Sequence, residues 1–153
     1  MERQVMKISA DTADLLFRAL FCLIFVGLGA EHLFSDDLIQ RLMPDWVPFE
    51  RAVSIACGLW LIGWGAFILL GIKLRWAAIA LGVFLVIVTA VVHLPGVFLT
   101  PGDIHPNSVW MWDVLQRSNL AKNMCLLGVC FHLLHHRLGK YSLENYTAYE
   151  LRK

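Results

Sequence analysis

Apolar positions in this chain gather into long runs divided by short polar stretches. Residues 52–72 contain no Asp, Glu, Lys or Arg, and a second run covers 76–94 before Pro95-Gly96 stops it. The stretch 13–34 is broken by Arg18 and ends at Glu31-His32, and 118–138 carries Lys122 and His132 inside it. A helix needs about 20 mostly apolar residues to cross the hydrocarbon layer. The pattern therefore predicts four membrane-spanning helices at about 13–34, 50–72, 75–94 and 118–138, with Lys122 and Arg137 snorkelling to opposite surfaces in the last. Arg18 splits the first run, and Leu28 stands where a cleavage site wants a small residue, so that run reads as a retained helix rather than a signal peptide. Only Lys73 and Leu74 separate the second and third runs, which predicts a tight antiparallel hairpin. The expected fold is all-α, a single domain over 1–153, arranged as an up-down bundle. Ser35-Asp36-Asp37 would cap a short surface turn over 38–43. Residues 95–117 read as a long loop whose Trp110 and Trp112 join Trp46 in an interfacial belt, with a ligand lid as the lesser reading.

Composition sharpens this. Of 153 residues 58% are hydrophobic and only 16% charged, and mean hydropathy is +0.63. A soluble body of this size cannot hide so much apolar surface. The net charge of +1 and the lack of a basic, aromatic-interleaved stripe say nothing in favour of nucleic acid, and no such partner is expected. The predicted partner is the lipid bilayer. Lys and Arg near the span ends set the direction. Arg3, Lys7, Lys73, Arg75, Arg137, Lys140, Arg152 and Lys153 fall on one side, against Arg41, Arg51, Arg117 and Lys122 on the other. That asymmetry predicts both termini in the cytoplasm.

Helices in lipid associate through small residues and polar contacts. Ala52-x3-Ala56, Ser54-x3-Gly58 and Ala78-x3-Gly82 read as packing faces, with a homo-oligomer interface as the lesser reading. Polar residues fall on helical stripes: Arg18, Cys22, Phe25, Gly29 and His32 on the first span, and Gly82, Val86, Thr89 and His93 on the third. Lys122, Cys125, Val129, His132 and His136 form one on the fourth. Turning an ionisable group toward lipid costs roughly 2.5–3.5 kcal/mol, so each stripe should face inward. Antiparallel packing then gathers Glu31, His32, His93, Lys122 and Asn123 at the outer end, near Glu50 and Arg51. Arg18 and His132 are expected deeper, as buried structural polar groups.

Such a cluster could hold a quinone headgroup, which needs a donor to each carbonyl and a route for protons. The plain alternative is that these residues pair with one another at wet helix ends. His132, His135 and His136 lack a carboxylate or Cys at matching spacing, so no metal site is predicted. Cys22, Cys57, Cys125 and Cys130 form no C-x-x-C pair and read as small hydrophobes. Neither a Walker A motif nor a nucleophile elbow is present. Nothing in these motifs marks a stand-alone enzyme.

Several of these residues together resemble the DoxX family. They are Arg18 followed by Gly27 and Gly29, the second helix from Gly58 to Gly71 running into Arg75, and His93-Leu94-Pro95. Lys122 ahead of Gly128 and the tail Gly139-Lys140-Tyr141-Ser142-Leu143-Glu144 complete the set. That tail is similar to the family's closing Gly-x-Gly-Arg-x-Ser-Leu-Asp signature, with Leu138, Lys140 and Glu144 as departures. The resemblance, from about Leu16 to Glu144, implies a four-helix protein of the bacterial inner membrane. It also implies redox roles, since some members are subunits of thiosulfate:quinone oxidoreductases and others accompany oxidative-stress or cofactor-maturation machinery. Distant animal relatives act as receptor chaperones. The leading expectation is a small accessory subunit of a quinone-linked membrane complex, partnered by its redox subunits. The alternatives are an assembly or anchoring protein with no small-molecule site, and a small dimeric proton-coupled transporter.

Overall fold

A computed structural model describes residues 8–35, 39, 43–44, 46–102 and 104–151. The surface turn expected over 38–43 lies largely outside the described residues. Among them the chain is all helix and turn, with no strand. Helix α1 spans Ala10–Phe34, α2 Glu50–Leu70 and α3 Leu74–Val88. A π turn, Thr89–His93, joins α3 to the short α4, Leu94–Phe98. After a 3-10 turn at Pro106–Ser108 come α5, Val109–Leu133, and a short α6, Leu143–Glu150.

Three segments are long and apolar enough to cross a membrane: Ala10–Phe34, Glu50–Leu70 and the continuous Leu74–Phe98. The protein is thus a multi-pass membrane protein surrounded by lipid. Helix α5 is as long as α1, about 37 Å at 1.5 Å per residue, but Asp113, Gln116, Arg117, Asn119, Lys122 and Asn123 make it less apolar.

α1 and α2 approach through glycine. A methyl group on Gly29 would lie 2.8 Å from the Gly58 carbonyl oxygen, and one on Gly58 would lie 2.8 Å from that of Gly29. Backbones this close leave room for hydrogen only, which is how small residues hold helices together in lipid. Of the three expected packing faces, Ser54/Gly58 and Ala78/Gly82 are buried. Ala52 and Ala56 are exposed, because Ser54 and Gly58 take the α1-facing side of the helix.

The hairpin between α2 and α3 is as tight as expected. Gly71 sits in the left-handed region (φ 65°), and its N–H and that of Ile72 return to the carbonyls of Ile68 and Phe67. This is a glycine-terminated helix end of the common kind. Lys73 is also left-handed (φ 45°) and opens α3. The core lies between the helices, around Phe21, Phe25, Leu61, Ile68, Leu81 and Leu133.

Two boundaries differ from the sequence reading. Pro95 does not end the third helix, which continues to Phe98. Proline lacks an N–H and its ring crowds the carbonyl four residues back. The π turn ahead of it, closed by the Leu94 N–H on the Thr89 carbonyl, widens the helix and absorbs that conflict. The fourth helix runs 109–133, not 118–138, so Trp110, Met111 and Trp112 are helical rather than part of a loop. It stops at Leu133, and the tail from His136 onward turns back across the bundle to meet α1.

Candidate functional site

Polar side chains form one cluster where α1 begins (the tail end) and another toward the loops joining α1 to α2 and α4 to α5 (the loop end). At the tail end the hub is Arg18, whose side chain is fully buried. Its Nε donates to Asp14 Oδ2 at 3.0 Å, Nη1 to the Leu69 carbonyl, and Nη2 to the Tyr141 carbonyl at 3.0 Å. One guanidinium thus ties together α1, the end of α2 and the tail, a task suited to its planar fork of donors. Asp14 also accepts from His136 Nε2 at 2.7 Å and from the Gly139 N–H at 3.1 Å. The tail is anchored further by Asp11, which accepts the Lys140 N–H, and by Glu144, which accepts the Lys73 N–H at 3.1 Å. Ser142, 1% exposed, donates to the Gly139 carbonyl and caps α6.

Arg18 is therefore buried as expected. His132 is not: it is exposed, because the inward face of α5 carries Gln116, Asn123, Cys130 and Leu133 instead. Cys125, on the expected stripe, is exposed as well. On α1 the expected stripe holds: Arg18, Cys22, Phe25 and Gly29 are buried and His32 half-buried. On the stripe running from α3 into the π turn, Gly82 and Thr89 are buried and His93 half-buried, while Val86 is exposed and Leu85 takes the inward place. The three tail-end histidines diverge in role. His136 turns to Asp14, while His132 and His135 are exposed.

Toward the loop end, four of the five expected residues have partners on neighbouring turns or helices. The Ser54 hydroxyl donates to the His32 carbonyl and accepts from His32 Nδ1 at 3.1 Å. Asn123 Nδ2 donates to Thr89 Oγ1 at 3.0 Å, and Lys122 Nζ to Asn119 Oδ1 at 2.8 Å. His93 Nδ1 donates to Gln116 Oε1 at 2.9 Å. Glu31 is exposed, within electrostatic reach of His32 and Lys122, and Lys122 acts in turn on His93. Lys122 and Asn123 sit midway along α5 rather than at its start, because the helix begins nine residues earlier than expected.

The sequence reading missed Gln116, which proves the most unusual member. It is fully buried, and its Nε2 is a buried side-chain donor without a hydrogen-bond partner among the described residues. Gly96 makes room for it: a methyl group there would lie 2.7 Å from Gln116 Cδ. Trp112 closes the turn above, its Nε1 donating to the carbonyls of Gly96 (2.9 Å) and Leu99 (3.2 Å). It clasps the end of α4 to α5, and Trp46 and Trp110 are exposed. The π turn sets this geometry, because Thr89 and His93 are its first and last residues and both bond to α5.

No curated protein and no solved structure matches this chain. The family model DoxX matches residues 13–94, more than half of the sequence, taking in Arg18, the Gly29/Gly58 contact, Gly71 and His93. Lys122, Gln116 and the tail lie beyond the matched stretch. On that match the chain belongs to the DoxX family.

Proposed function

We propose that the protein is a small accessory subunit of a quinone-linked redox complex in the inner cell membrane. In this reading α5 is the fourth span, both termini are cytoplasmic, and the quinone headgroup docks beside His93 and Gln116. The observation that carries the reading is the buried, unpartnered Gln116 amide. Leaving such a donor unsatisfied costs about 1–3 kcal/mol, and a quinone carbonyl oxygen is an acceptor that would relieve it. A bound quinone would supply two-electron, two-proton carrier chemistry. The chain's own part is to hold and to protonate. Gln116 Nε2 donates to the carbonyl oxygen. His93, with Nδ1 committed to Gln116 Oε1, keeps Nε2 to hold or release a proton. Lys122 and Glu31 are ionisable groups within electrostatic reach of the same end.

A second reading, assembly or anchoring without a small-molecule site, is favoured by the local partners of His32, Lys122 and Asn123. Titrating purified protein in lipid nanodiscs with a short-chain quinone separates the two. The quinone reading expects a saturable thermal shift with quenching of Trp112 fluorescence, both lost in Gln116→Leu and His93→Ala. Absence of any saturable change, or a change that survives in both variants, transfers the case to the anchoring role.

A further inference from the structure

Between α3 and α5, toward the tail end, runs a groove of about 290 Å³ with an entirely apolar lining. Its floor is made of small residues, Ala78, Gly82 and Cys130, all buried. Its rims are bulky, with Ile79 45% and Phe131 63% exposed. Because α3 belongs to a membrane-spanning segment, the groove opens into lipid. Water is a poor occupant, since it needs two to four polar partners and the lining offers none. A narrow slot with a small floor and bulky rims suits an acyl chain.

The tail-end mouth of the groove carries charge. Arg75 lies one helical turn before Ala78 and Ile79, on the same face of α3. Helical side chains lean toward the helix N-terminus, which carries the guanidinium away from the groove and toward the headgroup layer. Arg75 is exposed and forms no ion pair among the described residues. His135, in the turn that follows α5, is exposed and comes directly after Leu134 at the groove's end. Neither α3 nor the second half of α5 carries an acid, and Glu144 of α6 is engaged by the Lys73 N–H two residues before Arg75.

We propose that this groove is a binding site for one anionic phospholipid, with an acyl chain between α3 and α5 and the headgroup phosphate at Arg75. The site is independent of the quinone reading, on different residues toward the opposite end of the bundle. It is tested by native mass spectrometry of the full chain, released from detergent with equimolar phosphatidylglycerol and phosphatidylcholine. The wild type should retain phosphatidylglycerol preferentially, and Arg75→Gln should lower that preference about fivefold. Gly82→Leu should cut retention of both lipids by filling the slot. A Cβ there meets only ordinary contacts, 3.6 Å from Cys130 Cβ and from Leu127 Cδ1, so the fold tolerates the start of a side chain. Equal retention of the two lipids by the wild type, or retention unchanged in both variants, overturns the proposal. So does a dimer mass in place of lipid adducts, which would give the groove to a second copy of the chain.

Discussion

Replacing Arg18 by Leu removes the one group that joins three chain segments at the tail end. Three donor bonds disappear, to Asp14, the Leu69 carbonyl and the Tyr141 carbonyl. Asp14, itself 7% exposed, keeps only His136 and the Gly139 N–H. Breaking a buried pair by removing one partner typically costs 3–5 kcal/mol, because the remaining charge is left uncompensated. Leucine fills much of the vacated volume, so the loss is electrostatic rather than a cavity. For a chain of this size, that corresponds to a fall in Tm on the order of 10 °C. The assay is thermal unfolding in detergent micelles, followed by circular dichroism, with limited proteolysis of the tail alongside. Arg18→Leu should melt early and release residues 139–151 to protease. The double variant Asp14→Leu/Arg18→Leu should recover part of the loss, since no lone charge remains. A single variant within about 0.5 kcal/mol of wild type, or a double variant worse than the sum of the singles, refutes the pairing argument.

Gly71→Ala should destabilise by more than the roughly 1–2 kcal/mol of a left-handed non-glycine residue, because its methyl would lie 2.5 Å from Ser142 Cβ; hydrogen exchange should show the tail loosened, and unchanged protection contradicts this. Asn123→Ala deprives the Thr89 hydroxyl of its partner inside the bundle and should cost about 1–3 kcal/mol in thermal unfolding; an unaltered Tm would mean that the hydroxyl is satisfied elsewhere. His132→Ala should stay within about 0.5 kcal/mol of wild type, since the ring is exposed and its described contact is a tilted one with His136 at 5.7 Å; a large loss would return His132 to the interior.

What the sequence revealed and what it hid have the same physical origin. Against an apolar background an ionisable residue is conspicuous, so Arg18 and the α1 stripe could be placed by helical spacing alone. The same emphasis misdirected α5. Lys122 and His132 drew attention, although charged and aromatic-polar side chains on long stems reach the surface easily. The buried row is Gln116, Asn123 and Cys130, a seven-residue repeat that begins ahead of the expected span. Gln116 was invisible because residues 109–117, with Asp113 and Arg117, carry too little hydropathy to register as membrane helix. The π turn leaves no periodic signal, since it adds a residue within an otherwise regular helix. Pro95 marked the strain but read as a stop. Asp14, near the start of α1, acquires its role only because the tail folds back over it.

Photo-crosslinking with an azido-quinone, followed by peptide mapping, tests the functional account most directly. The proposed quinone site predicts label on peptides of α3 through α5 that contain His93 and Gln116, competed away by unmodified quinone and reduced in Gln116→Leu. Label confined to the tail end, or spread without competition over the lipid-facing surface, would contradict it.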